Sequence, residues 1–114
     1  MKLSVIGSRT FEKYEMLVNE ILKLNLKISS VISGGAKGAN KFAEKWAKEN
    51  NIPIILFKPE WKKYGRAAGL RRNESIIESC YYCLAFWDGK SKGTKFSIDL
   101  CKKLKKPIKV VIFK

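Results

Sequence analysis

Every arginine of this chain falls in one of two short stretches, Arg9 in GSRT and Arg66, Arg71 and Arg72 in GRAAGLRRN. A guanidinium holds phosphate oxygens with two parallel donors, a geometry lysine cannot offer, so this segregation points to anion chemistry. Two glycine-bearing turns point the same way. SGGAKGAN, Ser33 to Asn40, carries Gly34, Gly35 and Gly38 between the apolar pair Val31 and Ile32 and a segment of helical periodicity. WDGKSKGT carries Gly89, Gly93 and Thr94 ahead of the last helical segment. Bare backbone amides at a helix start, where the helix dipole favours negative charge, suit a phosphate or pyrophosphate. Ser8, Arg9 and Thr10 add hydroxyls and a guanidinium. The turn is neither GxGxxG nor a P-loop, because the glycine spacing and the Lys-Ser/Thr pair are missing, and no acidic residue ends the second strand to hold a ribose.

Carboxylates that could act as acid or base are few. Asp88 and Glu74 are the two near this chemistry, and Asp88 is equally suited to fixing its turn by accepting backbone amides. Glu44 stands four residues before Lys48, the spacing of a surface ion pair on a helix.

The elements that must position these residues read as an alternation. Leu3 to Ile6, Val31 to Ile32, Ile54 to Phe57, Tyr81 to Phe86 and Ile108 to Phe113 are short apolar runs, continuous rather than alternating, as expected of strands covered on both faces. Helical stripes lie between them: Tyr14, Leu17, Val18, Ile21 and Leu22; Ala39, Phe42, Ala43, Trp46 and Ala47; Ala68 to Ser79; and Ser97, Leu100, Cys101 and Leu104. This predicts an α/β fold, a three-layer Rossmann-like sandwich with a five-stranded parallel sheet and helices on both faces, built as one domain over residues 1–114. The unusual turns all follow strands and should therefore meet on one rim. Lys58 to Arg66 is the longest irregular piece, of a length that is usually functional or mobile. Its aromatics Trp61 and Tyr64 have no periodic reason to be buried. Trp46 and Phe11 read as core, and Trp87 is suited equally to packing and to stacking on a base.

Composition bounds the rest. Lys+Arg 24 against Asp+Glu 10 gives a net charge of +14, a field that draws anions of any kind, from nucleotides to nucleic acid. No apolar run approaches a membrane span, and MKLSVIGSRT has neither the apolar core nor the cleavage site of a signal peptide, so the expected location is the cytoplasm. With no histidine, Cys80, Cys83 and Cys101 cannot complete a four-ligand zinc site, and no metal site is expected. The cysteines read as packing residues. Positions three apart in a strand face opposite sides, which argues against Cys80 and Cys83 as a redox pair.

Together VIGSRTF, SGGAKGANKFAEKWA, FKPEWKKYGRAAGLRRN and AFWDGKSKGT resemble the small YspA-like branch of the SLOG superfamily, over nearly the whole chain and in order. That superfamily also holds the Lonely Guy phosphoribohydrolases and DNA-processing protein A. The resemblance implies a ligand derived from a nucleotide, including compounds related to NAD and ADP-ribose, bound on the glycine-rich rim. The contacts it implies are Gly7, Ser8 and Arg9; Ser33, Gly34, Gly35, Gly38 and Asn40; Arg72 and Asn73; and Trp87, Asp88, Gly89, Ser91, Gly93 and Thr94. Two departures matter. Asn40 stands where the branch usually has aspartate, and an amide is no general base. Lys95, Phe96 and Ser97 follow Gly93 and Thr94 where hydrolytic relatives carry a glutamate.

Three functions follow as expectations. The first is a nucleotide-derivative sensor or sequestering module with no reaction of its own. The second is a single-strand nucleic-acid binder, favoured by the charge and the loop aromatics. The third is a nucleotide N-glycosidase that uses Asp88 or Glu74. Relatives often associate through helices, so a homo-oligomer that completes the rim is compatible with the sequence, although no exposed stripe marks its interface.

Overall fold

The computed structural model describes residues 1–113. Five strands, β1 (Lys2–Gly7), β2 (Ser30–Ser33), β3 (Ile54–Leu56), β4 (Tyr82–Trp87) and β5 (Ile108–Ile112), form one parallel sheet in the order β3-β2-β1-β4-β5. Helices α1 (Tyr14–Leu24), α2 (Ala39–Glu49), α4 (Ala68–Ser79) and α5 (Lys92–Lys103) connect them. The three central strands are buried on both sides. Along β1, Leu3 and Val5 face one cluster with Leu17, Ile21, Ala43 and Trp46 of α1 and α2, while Ile6 faces the other with Ile76, Ile77 and Ile98 of α4 and α5. The three-layer α/β arrangement expected from continuous apolar runs is therefore the one observed.

Three expectations need correction. Lys58 to Arg66 is not wholly irregular: α3 (Trp61–Tyr64) forms a single helical turn, followed by a 3-10 turn over Gly65–Ala67 that leads directly into α4. Helix α5 begins at Lys92, well before the apolar stripe, because Ser91 caps it by accepting from the Thr94 amide (3.4 Å). Gly93 and Thr94 thus lie inside its first turn rather than ahead of it. The third concerns the cysteines. Cys80 follows the end of α4 and precedes β4, so strand alternation does not apply to it. Cys80, Cys83 and Cys101 all pack, as free thiols, in the cluster between the sheet and α4 and α5. Burial raises the Cys80 thiol pKa. They are packing residues, as expected, but for a different geometric reason.

Helix ends are defined by left-handed residues. Asn51 and Lys105 (φ 55° and 57°) each sit just past a helix, and the pairs of reverse bonds Asn51→Lys48 and Ile52→Ala47, and Lys105→Lys102 and Lys106→Cys101, close α2 and α5 as Schellman motifs. A proline follows each two residues later, Pro53 and Pro107. Lys106 also sends its ammonium to the Glu78 and Cys80 carbonyls (2.8 and 2.7 Å), satisfying acceptors at the C-terminal end of α4.

Candidate functional site

Strand order reverses between β1 and β4, so the chain leaving β1 turns to one face of the sheet and the chain leaving β4 to the other. A crevice opens at such a switch point, and in this fold it is where ligands sit. Here it holds a cavity of about 480 Å³. Its walls are the β1–α1 loop (Gly7 to Thr10), the start of α5 with the turn before it (Asp88, Ser91, Gly93, Thr94), and a third side built by α3, the 3-10 turn and α4. That third side contributes Trp61, Arg66, Gly69, Leu70, Arg72 and Asn73.

Charge dominates this cavity. Arg9, Arg66 and Arg72 line it, and among the described residues none of the three has a carboxylate within ion-pair distance. Arg72 is half-buried. Its pKa is pushed down, first by burial and then by the nearby Arg9 charge. Its Nη1 donates to the Gly34 carbonyl (2.7 Å) and its Nε to Asn73 Oδ1 (2.9 Å), so the guanidinium is fixed rather than free to swing. Two like charges held close together, one partly desolvated, favour an anion between them. The start of α5 adds to this preference: Ser91 satisfies the Thr94 amide, while the Lys92 and Gly93 amides of the first turn have no acceptor among the described residues.

Asp88 is the one carboxylate lining the cavity, and it is structurally committed. Its Oδ1 accepts from the Lys90 and Ser91 amides (2.8 Å each), and these bonds hold its carboxyl below the ordinary pKa. An acid stabilised as its anion is a poor proton donor near neutrality. Glu74 lies outside the cavity, paired with Arg71 on the surface of α4 (3.4 Å), and lines a separate depression.

The SGGAKGAN turn behaves differently from the open anion cradle its glycines suggest. Its amides are taken up internally: Gly34 and Ala36 donate to Asn40 Oδ1 (3.2 and 3.3 Å), and Gly35 donates to Ser33 Oγ (3.1 Å). Asn40 Nδ2 in turn donates to the Val5 carbonyl (2.6 Å), so one buried amide side chain ties the turn to β1. The glycines make room for protein. A Cβ on Gly34 would come within 2.8 Å of the Arg72 side chain, and one on Gly38 within 2.4 Å of the Ser8 carbonyl. Gly38 also has φ 82°, a conformation side chains resist. Ser33 Oγ donates to Glu44 (2.7 Å), which replaces the expected Glu44–Lys48 surface pair. Glu44 sits low on α2 over the end of β2, its side chain only 13% exposed, and its other contact is Lys41 (3.7 Å).

The structure brings together at the cavity Gly7, Ser8, Arg9, Asn40, Arg72, Asn73, Asp88, Ser91, Gly93 and Thr94. Ser8 is 2% exposed and accepts from the Asp88 amide (3.2 Å), stitching the two loops across the crevice. Ser33, Gly34, Gly35, Gly38, Trp87 and Gly89 lie outside the lining; Trp87 packs on the α4–α5 side with its indole N–H on the Ser91 carbonyl (3.0 Å). Phe11 is core, stacked among Phe42, Phe86 and Phe113. Sequence reasoning left Trp61 and Arg66 out of the site. Two signals marked them: an arginine in the same cluster as Arg72, and a tryptophan with no periodic reason for burial, which is 61% exposed at the cavity rim.

Comparison with known proteins agrees with this architecture. The DNA processing protein A of Streptococcus pneumoniae, known from an X-ray structure, superposes with a TM-score of 0.80 over 99% of this chain at 18% identity. This chain spans half the length of that protein. The gene 61 protein of Mycobacterium phage D29 is 33% identical over 84 residues, which is 68% of this chain and 67% of the phage protein. The model of one family matches residues 1–64, from β1 through α3. On that match and that identity, the chain belongs to the YspA, cpYpsA-related SLOG family.

Proposed function

We propose that this chain binds a nucleotide or nucleotide-derived ligand through its phosphate groups in the cavity over the β1–β4 crevice. The observation that carries the reading is the convergence of Arg9, Arg66 and Arg72 on one cavity with no carboxylate partner among the described residues. Unpaired guanidiniums repel one another, and an anion bridging them turns that cost into charge-assisted hydrogen bonds. The unused amides at the start of α5 supply further donors. Trp61, exposed on the rim, offers a face for a base. Membership of the SLOG family supports a nucleotide-related role. Binding without turnover is favoured over N-glycosidic cleavage, because Asp88 is committed to its turn and Glu74 lies outside the cavity.

The test is titration calorimetry with nucleoside mono- and diphosphates against the wild type, Arg9→Ala and Arg66→Ala. Each variant removes a charged donor and should weaken binding by about tenfold to a hundredfold. Both side chains are exposed, so their loss leaves the fold intact. Wild type without measurable heat, or variants with unchanged affinity, would end the reading.

A second reading is single-stranded nucleic-acid binding. It is favoured by exposed Trp61 beside the arginines, by the +14 charge, and by the fold shared with DNA processing protein A. The same titration with an oligonucleotide separates the two, since backbone-driven binding falls steeply with salt.

A further inference from the structure

The crevice at the β1–β4 switch point opens on both faces of the sheet, because the β1–α1 and β4–α5 connections diverge to opposite sides. The three-arginine cavity occupies the side of α4 and α5. Beside it lies a second cavity of about 630 Å³, lined by Thr10, Glu12, Lys13, Asp88, Lys90 and Phe113. Its residues come from the loop leading into α1, the turn after β4 and the end of β5. Thr10 and Asp88 line both cavities. The two hollows are therefore halves of one groove that crosses the junction where buried Ser8 holds the Asp88 amide.

The second half has a chemistry of its own. Lys13 and Lys90 are exposed, and among the described residues neither ammonium has a carboxylate within ion-pair distance. Glu12 is likewise exposed and unpaired. Asp88 uses Oδ1 for both turn amides, which leaves Oδ2 uncommitted at the junction. Carboxylate oxygens accept from the neighbouring hydroxyls of a sugar, and ammonium groups donate to hydroxyl or phosphate oxygens. Phe113 gives an apolar wall. A mononucleotide seated on the three arginines would leave these groups unused.

The geometry points to a ligand of two polar halves joined through phosphate, with a second sugar lying across Thr10 and Asp88 in the lobe of Glu12, Lys13 and Lys90. This inference rests on the phosphate-binding reading of the arginine cavity, and it narrows the ligand class from nucleotides in general to dinucleotide-sized molecules.

ADP and ADP-ribose differ by that second sugar and serve as the probes. In calorimetric titrations the wild type should bind ADP-ribose at least about tenfold more tightly than ADP. The double variant Lys13→Ala/Lys90→Ala should bring the ratio of the two affinities close to one. Arg9→Ala should weaken both ligands together. Equal affinities in the wild type, or a ratio that the double variant does not move, would overturn the second lobe while the arginine site stands. Wild type that binds neither probe would overturn both readings.

Discussion

Asn40 holds the site's frame with a single side chain. Its Oδ1 takes two amides of the SGGAKGAN turn while its Nδ2 reaches the Val5 carbonyl, a division of labour that needs both an acceptor and a donor. Aspartate at this position keeps the acceptor and loses the donor. Its second oxygen would stand against the Val5 carbonyl and is tolerable there only with a proton between them, so the folded-state pKa of the new carboxyl is raised. A group with a raised folded pKa contributes stability below its unfolded pKa that is lost as pH rises through the folded value. Asn40→Asp should therefore unfold close to wild type near pH 4 and fall short of it by about 1–3 kcal/mol near pH 8, read from urea midpoints across that range. Equal deficits at both ends would mean that the Val5 contact contributes nothing. Arg72 shows the same logic at the cavity wall, since Gly34 is bare so that the guanidinium can lie against it.

Elements owe their ends to a few residues in unusual conformations. The termination of α5 relies on Lys105 at φ 57°, where glycine is the natural occupant because a Cβ is strained there. Its amide and that of Lys106 still make both reverse bonds, so the motif is intact and only the strain is out of place. Lys105→Gly should raise stability by about 0.5–1 kcal/mol, checked by thermal unfolding, with ligand affinity unchanged because this turn lies at the opposite end of α5 from the cavity. A decrease would show that the flexibility gained by the unfolded chain outweighs the strain relieved. On the other side of the site, α3 carries no buried residue and leads through Gly65 (φ 55°) into the helix that bears Arg72. The segment that brings Trp61 to the rim is thus fastened mainly through α4.

Across the whole molecule the charge sets two opposed responses to salt. A net +14 is spread over a body with a radius of gyration of 12.9 Å, comparable to a Debye length of about 10 Å at 0.1 M, so the lysines repel one another through much of the structure. The same field draws a phosphate ligand toward the arginine cavity. Raising KCl from about 50 to about 500 mM should therefore raise the melting temperature while it weakens nucleotide binding. Both can be followed on one sample series, and parallel movement of the two would contradict this account. No helix among the described residues is long and apolar enough to cross a membrane.

Patterns that depend on near neighbours were legible without coordinates. Continuous apolar runs mark strands buried on both faces, and the stripe from Ala68 to Ser79 is the observed α4, because periodicity reports which side of an element meets the core. The turns after β1 and β4 were placed on one rim for the same local reason. What the glycines face was decided only by the tertiary structure. Asn40 bends back onto the amides of its own turn, Arg72 arrives at Gly34 from 38 residues away, and Ser8 meets Asp88 across 80 residues. Hydrogen-bond partners so distant leave no mark on spacing or composition, so a turn that looks open to a guest in the sequence is already filled by its own chain, and the open face lies instead among the arginines.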